Sequence, residues 1–585
     1  MKGLLGVCLL AAPWAGLFSA VTATALPQHN CHRRGVDSGN KNQTDKVTID
    51  LGYEIHRGIL NATGNFYKFS NVPYAEQPVG DLRFKKPVAI TRPANTVINE
   101  GSEGDIKCIQ AYPEWIIKLY AGGSAANLSA MTDMLTNASG QTESCLVLDV
   151  RVPVDVLNAR STAQAPVLVW IHGGGFTYGS KISDGDPAGI IARSQTDGGA
   201  GIIFVSINYR LGLFGWLGGG NDDVTPNLGL YDQRLALEWV QQHISQFGGS
   251  PDRVTVMGES AGAASIVHHV TAYGGSGPAA PFQAAIPQSP AFQFNMNTTA
   301  GYALTLAAAS SHTGTGIRSM GDLSQLDTDD LKAINQAVVY GARTGTFNFG
   351  PAPDRTYVPK LPQVLLQEGR FDHNIKLLIS HTANESVPFT PANILMATDV
   401  RARAADSFPE ASAATLDTLL ADVYPDGSAG HPWTTEFARA AQIGTDTSFS
   451  CTTRFLATAF QNRTHNYIFA YPPAYHASDV PYVFYSPPSL SSSSSSSSSS
   501  DDDVGGSAVN ARLAQALQDY IVAFARSGDP NVQNPGKPGS AAEFPPYGAS
   551  AEVLRLTDSG FEAGVDDMAN ARCEWIQRAL AEGLL

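Results

Sequence analysis

The sequence predicts an α/β fold in which a large, mostly parallel sheet is flanked by helices. Short apolar runs rich in β-branched residues alternate with stretches of helical periodicity, and polar or glycine-rich segments follow these runs directly. The 585-residue chain is 43% hydrophobic, so it can bury a large core. Parallel strands gather reactive groups just beyond their carboxyl ends. The polar residues that follow each strand are therefore the candidates for function.

Local composition and periodicity predict the individual strands and helices. Apolar runs predict buried strands at 167–171, 202–207, 253–257, 284–286, 376–379 and 467–470. Helical periodicity predicts helices at 235–240 and from Ala261 onward. The serine run at 491–500 and the aspartates after it cannot bury apolar area, so residues 489–507 are predicted to be a disordered surface loop. The rest of the chain, 26–585, is predicted to form one domain.

The N-terminus resembles an export signal. Lys2 precedes an apolar stretch that ends in small residues, which predicts a signal peptide over 1–25 with cleavage between about residues 20 and 25. A retained membrane anchor is the alternative, but Pro13 interrupts the stretch, which is short for a membrane span. Export would place the cysteines in an oxidising compartment. Seven N-x-S/T sequons fit the same compartment: Asn42, Asn61, Asn127, Asn137, Asn297, Asn384 and Asn462. We therefore expect a secreted, extracellular protein.

The charge of the chain excludes one class of partner. The formal net charge is −15 at pH 7. An acidic surface repels phosphate backbones, so nucleic acid is not expected to bind.

One short segment predicts a nucleophile. The run Gly258-Glu259-Ser260-Ala261-Gly262 lies between the predicted strand 253–257 and a predicted helix, and the GxSxG pattern occurs once in the chain. A serine on such a strained turn exposes its Oγ, and the glycines relieve crowding on either side. The pattern arises by chance when alone, but the strand before it and the helix after it favour function. Ser260 is therefore the predicted nucleophile.

A serine hydroxyl needs a base to take its proton, and placement after a strand selects the histidine. His476 follows the predicted strand 467–470, at the same sheet edge as Ser260. His381 also follows a strand and is the alternative base. His268 and His269 lie on the helix that carries Ser260 and are predicted to point away from its start.

The base in turn needs an acid that fixes its tautomer. Glu385 lies past the predicted strand 376–379, and the order Ser260, Glu385, His476 matches the order of nucleophile, acid and base in α/β-hydrolases. Asp354 is the alternative acid, but it precedes that strand and is interpreted as structural.

Backbone amides are available for the oxyanion that develops when an acyl carbonyl is attacked. The run Gly173-Gly174-Gly175 follows the predicted strand 167–171, where an HGGG-type loop supplies N–H donors. A further donor is the amide of Ala261, since the start of a helix favours negative charge.

With these residues, the chain resembles the cholinesterase and type-B carboxylesterase/lipase family, especially its fungal secreted members. The matching segments span most of the chain and follow the order of the family: NVPYA (71–75), PVGDLRF (78–84), SCLVLDV (144–150), VWIHGGGF, NYRLGLFGWL, NLGLYDQRLALEWVQQHI and FGGSPDRVTVMGESAG. The resemblance implies the α/β-hydrolase fold. It implies Ser260 as nucleophile, Glu385 as acid and His476 as base. The implied oxyanion amides are those of Gly174, Gly175 and Ala261.

The resemblance also implies covalent and mobile features. The disulfides of the family imply the pairs Cys108–Cys145 and Cys451–Cys573, which leave Cys31 unpaired. The loop 108–145 is then similar to the lid of lipase-like relatives. Its apolar side chains, among them Trp115 and Met134, suit a lid that faces a lipid-like substrate. The alternative is that these side chains pack on the body of the protein.

The expected function is hydrolysis of carboxylic esters through an acyl-enzyme, with no metal and no cofactor. The expected substrates are small-molecule or lipid esters, with transient contact at a lipid interface. Two alternatives share the fold: a catalytically inactive adhesion or binding protein, and a serine peptidase. Retention of Ser260 and His476 argues against the first, and the match to an esterase family along the whole chain argues against the second.

Overall fold

The computed structural model describes residues 46–585, except 92–97, 102–103, 123–124, 197–198, 220–223, 295–296, 428–429, 491–508 and 533–541. The predicted signal peptide, Cys31, the sequon at Asn42 and nearly all of the predicted loop 489–507 lie outside the described residues.

The described strands form one 13-stranded sheet. They are β1 (Lys46–Asp50), β2 (Ile55–Asn61), β3 (Phe66–Pro73), β4 (Ile98–Asn99), β5 (Val147–Pro153), β6 (Ala165–Ile171), β7 (Ile203–Ile207), β8 (Gly249–Glu259), β9 (Ala284–Gln288), β10 (Lys376–Thr382), β11 (His465–Phe469), β12 (Glu552–Thr557) and β13 (Gly560–Val565). Their order is β1-β2-β3-β5-β7-β6-β8-β9-β10-β11-β12-β13, with β4 beside β2. Neighbours from β7 to β12 are parallel. The strands from β1 to β7 along this order pair antiparallel, as do β12 and β13, whereas β4 is parallel to β2. The predicted large, mostly parallel sheet is confirmed.

Helices cover both faces of this sheet. They are α1 (Glu114–Tyr120), α2 (Ala125–Thr136), α3 (Val154–Asn158), α4 (Ala188–Ser194), α5 (Gly212–Trp216), α6 (Leu228–His243), α7 (Ala261–Val270), α8 (Thr298–Thr313), α9 (Met320–Ser324), α10 (Thr328–Tyr340), α11 (Pro362–Gln367), α12 (Ala397–Ser407), α13 (Ala413–Thr418), α14 (Glu436–Gly444), α15 (Cys451–Ala459), α16 (Val480–Val483), α17 (Ala511–Ser527) and α18 (Ala571–Ala581). None of the described helices is long and apolar enough to cross a bilayer.

The centre of the sheet is buried on both sides. In β6, Val167, Val169 and Ile171 belong to the larger hydrophobic core, whereas Leu168 and Trp170 belong to a second core on the opposite face. Because successive side chains of a strand point to opposite faces, a strand covered by helices on both sides must be apolar throughout. This burial on both faces explains the continuous apolar runs in the sequence.

The strand registers align the carboxyl ends that carry the candidate residues. Ile171 of β6 pairs with Gly258 of β8, and Glu259 of β8 pairs with Gln288 of β9. Further along the sheet, Thr382 of β10 pairs with Phe469 of β11. The loops that follow β6, β8, β10 and β11 therefore meet at one edge of the sheet.

Both disulfides implied by the resemblance are present. Cys108–Cys145 closes the loop 108–145, and Cys451–Cys573 joins the start of α15 to α18.

Candidate active site

Ser260 lies on a strained turn between β8 and α7. Its φ of 57° and ψ of −120° fall in a region that residues other than glycine rarely adopt. The turn packs so closely on β6 that a Cβ at Gly258 or Gly262 would overlap the carbonyl oxygen of Ile171. The Ser260 N–H donates to the carbonyl oxygen of Gln288 at 3.0 Å. Glycine at these two positions and the tie to β9 together hold the serine at the sheet edge.

His476 and Glu385 are joined by a short hydrogen bond. The Nδ1 of His476 lies 2.6 Å from Oε2 of Glu385, and the Thr382 N–H donates to Oε1 at 2.7 Å. The loops that carry the two residues pair with each other, since the Asn384 N–H donates to the carbonyl oxygen of Ala474 at 2.9 Å. Burial alone would raise the pKa of Glu385, but His476 and the Thr382 N–H hold it below its usual value. Glu385 is therefore a buried, ionised carboxylate bonded to the imidazole.

The other ring nitrogen of His476 faces the segment that carries the serine. Its Nε2 lies 3.1 Å from Oε1 of Glu259, the residue before Ser260, and makes no hydrogen bond among the described residues. The imidazole packs against two aromatic rings that also contact each other, with centroid distances of 5.2 Å to Phe389 and 4.6 Å to Phe449. Both rings also line the pocket that contains Ser260. With the proton of Nδ1 directed to Glu385, Nε2 keeps a lone pair that can accept a proton.

Three further acids surround this pair, and sequence reasoning gave none of them a role. Burial raises the pKa of Glu259 well above its usual value, and the charges of Asp479, Asp184 and Glu385 raise it further. Burial likewise raises the pKa of Asp479 to about 7 and that of Asp184 to about 6. The Gln288 side chain donates to Asp479 at 2.9 Å. Burial thus favours the neutral form of Glu259, whereas the partners of Glu385 favour its charged form beside His476.

The glycine loop after β6 has a backbone that side chains would prevent. Gly174 and Gly175 have φ of 103° and 59°, and a Cβ at Gly175 would overlap the ring of Phe347. A Cβ added at Gly173 would lie 3.2 Å from the Cβ of Ser260, so the loop lies against the serine. Ala261 is the first residue of α7, where a helix leaves its N–H unpaired. Among the described residues, no acceptor is found for the N–H groups of Gly174, Gly175 or Ala261.

These elements line a narrow pocket around Ser260. Its walls are mostly aromatic or small, and they include one arginine: Gly175, Phe176, Ser260, Ala261, Ala291, Phe292, Gln293, Gly345, Phe347, Ser386, Phe389, Arg403, Ser448 and Phe449. A mostly apolar pocket with a few convergent polar groups is typical of a binding site for a small molecule.

The loop 108–145 divides into a packed half and an exposed half. In α1, Trp115 packs on Phe347 and Phe389, with ring centroids 5.3 and 5.4 Å apart, and its Nε1 donates to the carbonyl oxygen of Thr346 at 3.0 Å. In α2, Met134 is 61% exposed. Between the loop and the body lies a cavity of about 490 Å³, whose walls include Met134 and Gly174. Packing on the body therefore explains Trp115 of α1 but not Met134 of α2.

The alternative base and the alternative acid have other partners. His381 is buried, and its Nδ1 lies 3.3 Å from the hydroxyl of Thr453. Asp354 accepts hydrogen bonds from the backbone N–H groups of Thr356 and Val358 and from the side chain of Asn227, so it shapes a turn.

The chain is similar to known carboxylesterases and lipases over most of its length. Residues 48–574 match the model of the carboxylesterase family. The chain is 36% identical over 562 residues to carboxylesterase patB of Aspergillus clavatus, covering 91% of this chain and 95% of that protein. It is 28% identical over 578 residues to secreted lipase 1 of Botryotinia fuckeliana, covering 92% and 93% of the two chains. Among solved structures, Aspergillus niger EstA superimposes with a TM-score of 0.74 at 23% identity, covering 93% of this chain and all of that one. The architecture is thus that of the α/β-hydrolase esterases.

Proposed function

Since this chain belongs to the carboxylesterase family and is a carboxylic ester hydrolase, we propose that it acts through an acyl-enzyme formed on Ser260. The observation that carries the proposal is the 2.6 Å bond between His476 and Glu385, which leaves Nε2 of the imidazole 3.1 Å from Glu259, the residue that precedes Ser260. That bond fixes the tautomer a base requires. The strained turn at Ser260 supplies the exposed nucleophile.

The proposed reaction has two halves. In the first, Nε2 of His476 takes the proton of the Ser260 hydroxyl while Oγ forms a bond to the ester carbonyl carbon. The N–H groups of Gly174, Gly175 and Ala261 hold the oxyanion until the carbon–oxygen bond to the alcohol breaks, and His476 gives its proton to the departing alcohol. In the second half, His476 takes a proton from water, whose oxygen attacks the acyl carbon, and Ser260 regains its proton as the free acid leaves.

Covalent labelling tests the proposal. A fluorophosphonate probe should label the wild-type protein once, and Ser260→Ala should lose both the label and the hydrolysis of 4-nitrophenyl butyrate. Ser276→Ala, which removes a hydroxyl from an exposed loop after α7, is the matched control and should keep both. A Ser260→Ala protein that turns over the ester at the wild-type rate would eliminate the acyl-enzyme on this residue.

We also propose that the protein contacts lipid interfaces when it takes its substrate. The protein takes small ester substrates, and contact with a lipid interface is supported by α2, where Met134 is exposed above the large cavity beside Gly174. Rates on 4-nitrophenyl esters of increasing length should be compared with rates on emulsified triglyceride. If α2 contacts the interface, Met134→Ser should lower the rate on the emulsion only. Val565→Ser removes an equally exposed apolar side chain (61%) from β13 and is the control; equal loss in both variants would exclude α2 as the contact.

We further propose that the protein is secreted. Two disulfides, the secreted lipase among its relatives and the exposed sequon at Asn384 support this location. A glycan at Asn384 would stand directly beside the buried Glu385. Mass spectrometry of protein from culture medium should find an N-terminus created between residues 20 and 25, and protein retained in the cell would refute the proposal.

A further inference from the structure

One residue in the wall of the Ser260 pocket is charged. Every other residue that lines the pocket is glycine, alanine, serine, glutamine or phenylalanine, and the exception is Arg403 on α12. Its guanidinium lies against the backbone of Gly345, where a Cβ would occupy its place. The positive charge is therefore built into the pocket and does not merely border it.

The guanidinium of Arg403 is only weakly hydrogen-bonded by the described residues of the protein. Its Nη2 donates one long hydrogen bond of 3.4 Å to the carbonyl oxygen of Phe389. The nearest acid along the helix, Asp406, is paired with Arg343 at 2.6 Å. No described carboxylate forms an ion pair with Arg403. Burial lowers the pKa of Arg403, and the charge of Asp406 offsets this only in part, yet a guanidinium stays protonated at neutral pH.

A charge held in an aromatic pocket without a partner costs free energy that an incoming anion recovers. The two acids nearest the imidazole do not supply that anion. Glu385 is bonded to His476, and burial raises the pKa of Glu259 well above its usual value, which favours its neutral form. Carboxylates suit a guanidinium because both are planar and can form two parallel hydrogen bonds.

We propose that Arg403 binds a carboxylate group of the substrate, so that the enzyme selects esters that carry a free carboxylate on their acyl or alcohol part. This inference rests on the proposed function of the Ser260 pocket. Arg403 contributes to substrate selection and takes no part in bond breaking. The carboxylate lies on one side of the scissile ester, and the two possible sides are distinguished by the choice of substrate.

The experiment compares two matched pairs of esters. For the acyl side, the pair is the mono-4-nitrophenyl ester of adipic acid and 4-nitrophenyl hexanoate. For the alcohol side, it is the hexanoyl esters of 4-hydroxybenzoate and of 4-methylphenol. In each pair the readout is the ratio of kcat/KM for the carboxylate ester to kcat/KM for the neutral ester. This ratio is measured for the wild-type protein, Arg403→Gln and Arg403→Lys.

The control variant comes from the same helix. Arg401 points to the surface, where it pairs with Asp417, and Arg401→Gln removes the same charge from α12 without touching the pocket. We expect Arg403→Gln to lower the ratio about 10- to 100-fold in one of the two pairs, the range for a hydrogen bond to a charged group. Arg403→Lys should restore part of it, and Arg401→Gln should keep the wild-type ratio.

Two outcomes would overturn the proposal. One is a ratio that is the same in Arg403→Gln and Arg401→Gln for both pairs. The other is a wild-type protein that rejects both carboxylate esters in favour of the neutral ones. Failure of the proposed function looks different, because neither neutral ester would then be hydrolysed through Ser260.

Discussion

Two buried glutamates contact the same imidazole, and we expect their replacement by glutamine to have very different effects. Glu385 lies 2.6 Å from Nδ1 of His476, and Glu259 lies 3.1 Å from Nε2. The pKa of Glu385 is below its usual value, while burial raises that of Glu259 well above it. Glutamine is a neutral isostere of glutamate. Glu385→Gln therefore removes a charge, whereas Glu259→Gln puts a neutral side chain where burial already favours the neutral form of the acid.

The structure allows the size of each effect to be worked out. The Thr382 N–H holds Oε1 of Glu385 at 2.7 Å, so in Glu385→Gln the amide oxygen keeps that place and the amide NH2 meets Nδ1 of His476. Nδ1 must then accept a hydrogen bond, which moves the ring proton to Nε2 and leaves no base for Ser260. A comparable change in a serine protease triad lowers kcat about 10⁴-fold, or about 5 kcal/mol. Glu259→Gln alters at most a neutral hydrogen bond, worth about 1 kcal/mol, so its loss stays below about tenfold.

The assay is kcat for 4-nitrophenyl butyrate at pH 7.5, with thermal unfolding of each variant as the control for folding. The expected result is a loss of about 10³- to 10⁴-fold for Glu385→Gln and of less than about tenfold for Glu259→Gln. The reasoning is refuted if folded Glu385→Gln stays within tenfold of wild type, or if both variants lose activity equally.

Three further predictions concern the glycine loop, a buried acid and a disulfide. Gly175→Ala should lower kcat about 10²- to 10³-fold, since its φ of 59° and the ring of Phe347 force the amide out of place; a changed KM with unchanged kcat would contradict this. Burial raises the pKa of Asp479 to about 7, so its contribution to stability is full below the unfolded pKa of about 4 and is lost as pH rises through 7, by about 4 kcal/mol. In Asp479→Asn the urea midpoint should depend less on pH over this range, and the same pH dependence as in the wild type would contradict the raised pKa of Asp479. Cys573→Ala opens the bridge to Cys451, whose ends are 122 residues apart, and should lower the free energy of unfolding by about 4–5 kcal/mol; the measurement is urea unfolding, and an equal midpoint in wild type and variant would show that the bridge is dispensable.

The sequence predicted those parts of the fold that depend on local backbone chemistry. The runs at 167–171 and 253–257 lie within β6 and β8, and the helix predicted from Ala261 is α7. These strands could be identified because both of their faces are buried, which requires uninterrupted apolar residues. The boundaries differed where side chains do not mark them, as at β8, which begins at Gly249.

The candidate site was predictable to the extent that it follows chain order. His476 and Glu385 were chosen because each follows a strand, and the structure joins them by a hydrogen bond. Position after a strand and the order of the three groups pointed to Glu385 as the acid, and the resemblance implied the same role. Asp479 lies three residues after His476, and Glu259 lies within the glycine-flanked turn, so both were visible without any sign of their protonation state.

The sequence alone therefore determined the type of fold, the strained serine turn and the order of the three candidate groups, because these depend on glycine, on strand periodicity and on position after a strand. The tertiary structure was needed to show that the pKa of Glu259 is raised while that of Glu385 is lowered. It was also needed to show that α12 places Arg403 in the pocket wall. It also decided that α1 packs on the body while α2 is exposed. Burial and electrostatic interactions act through space between residues far apart in the chain, so no local pattern of residues records them.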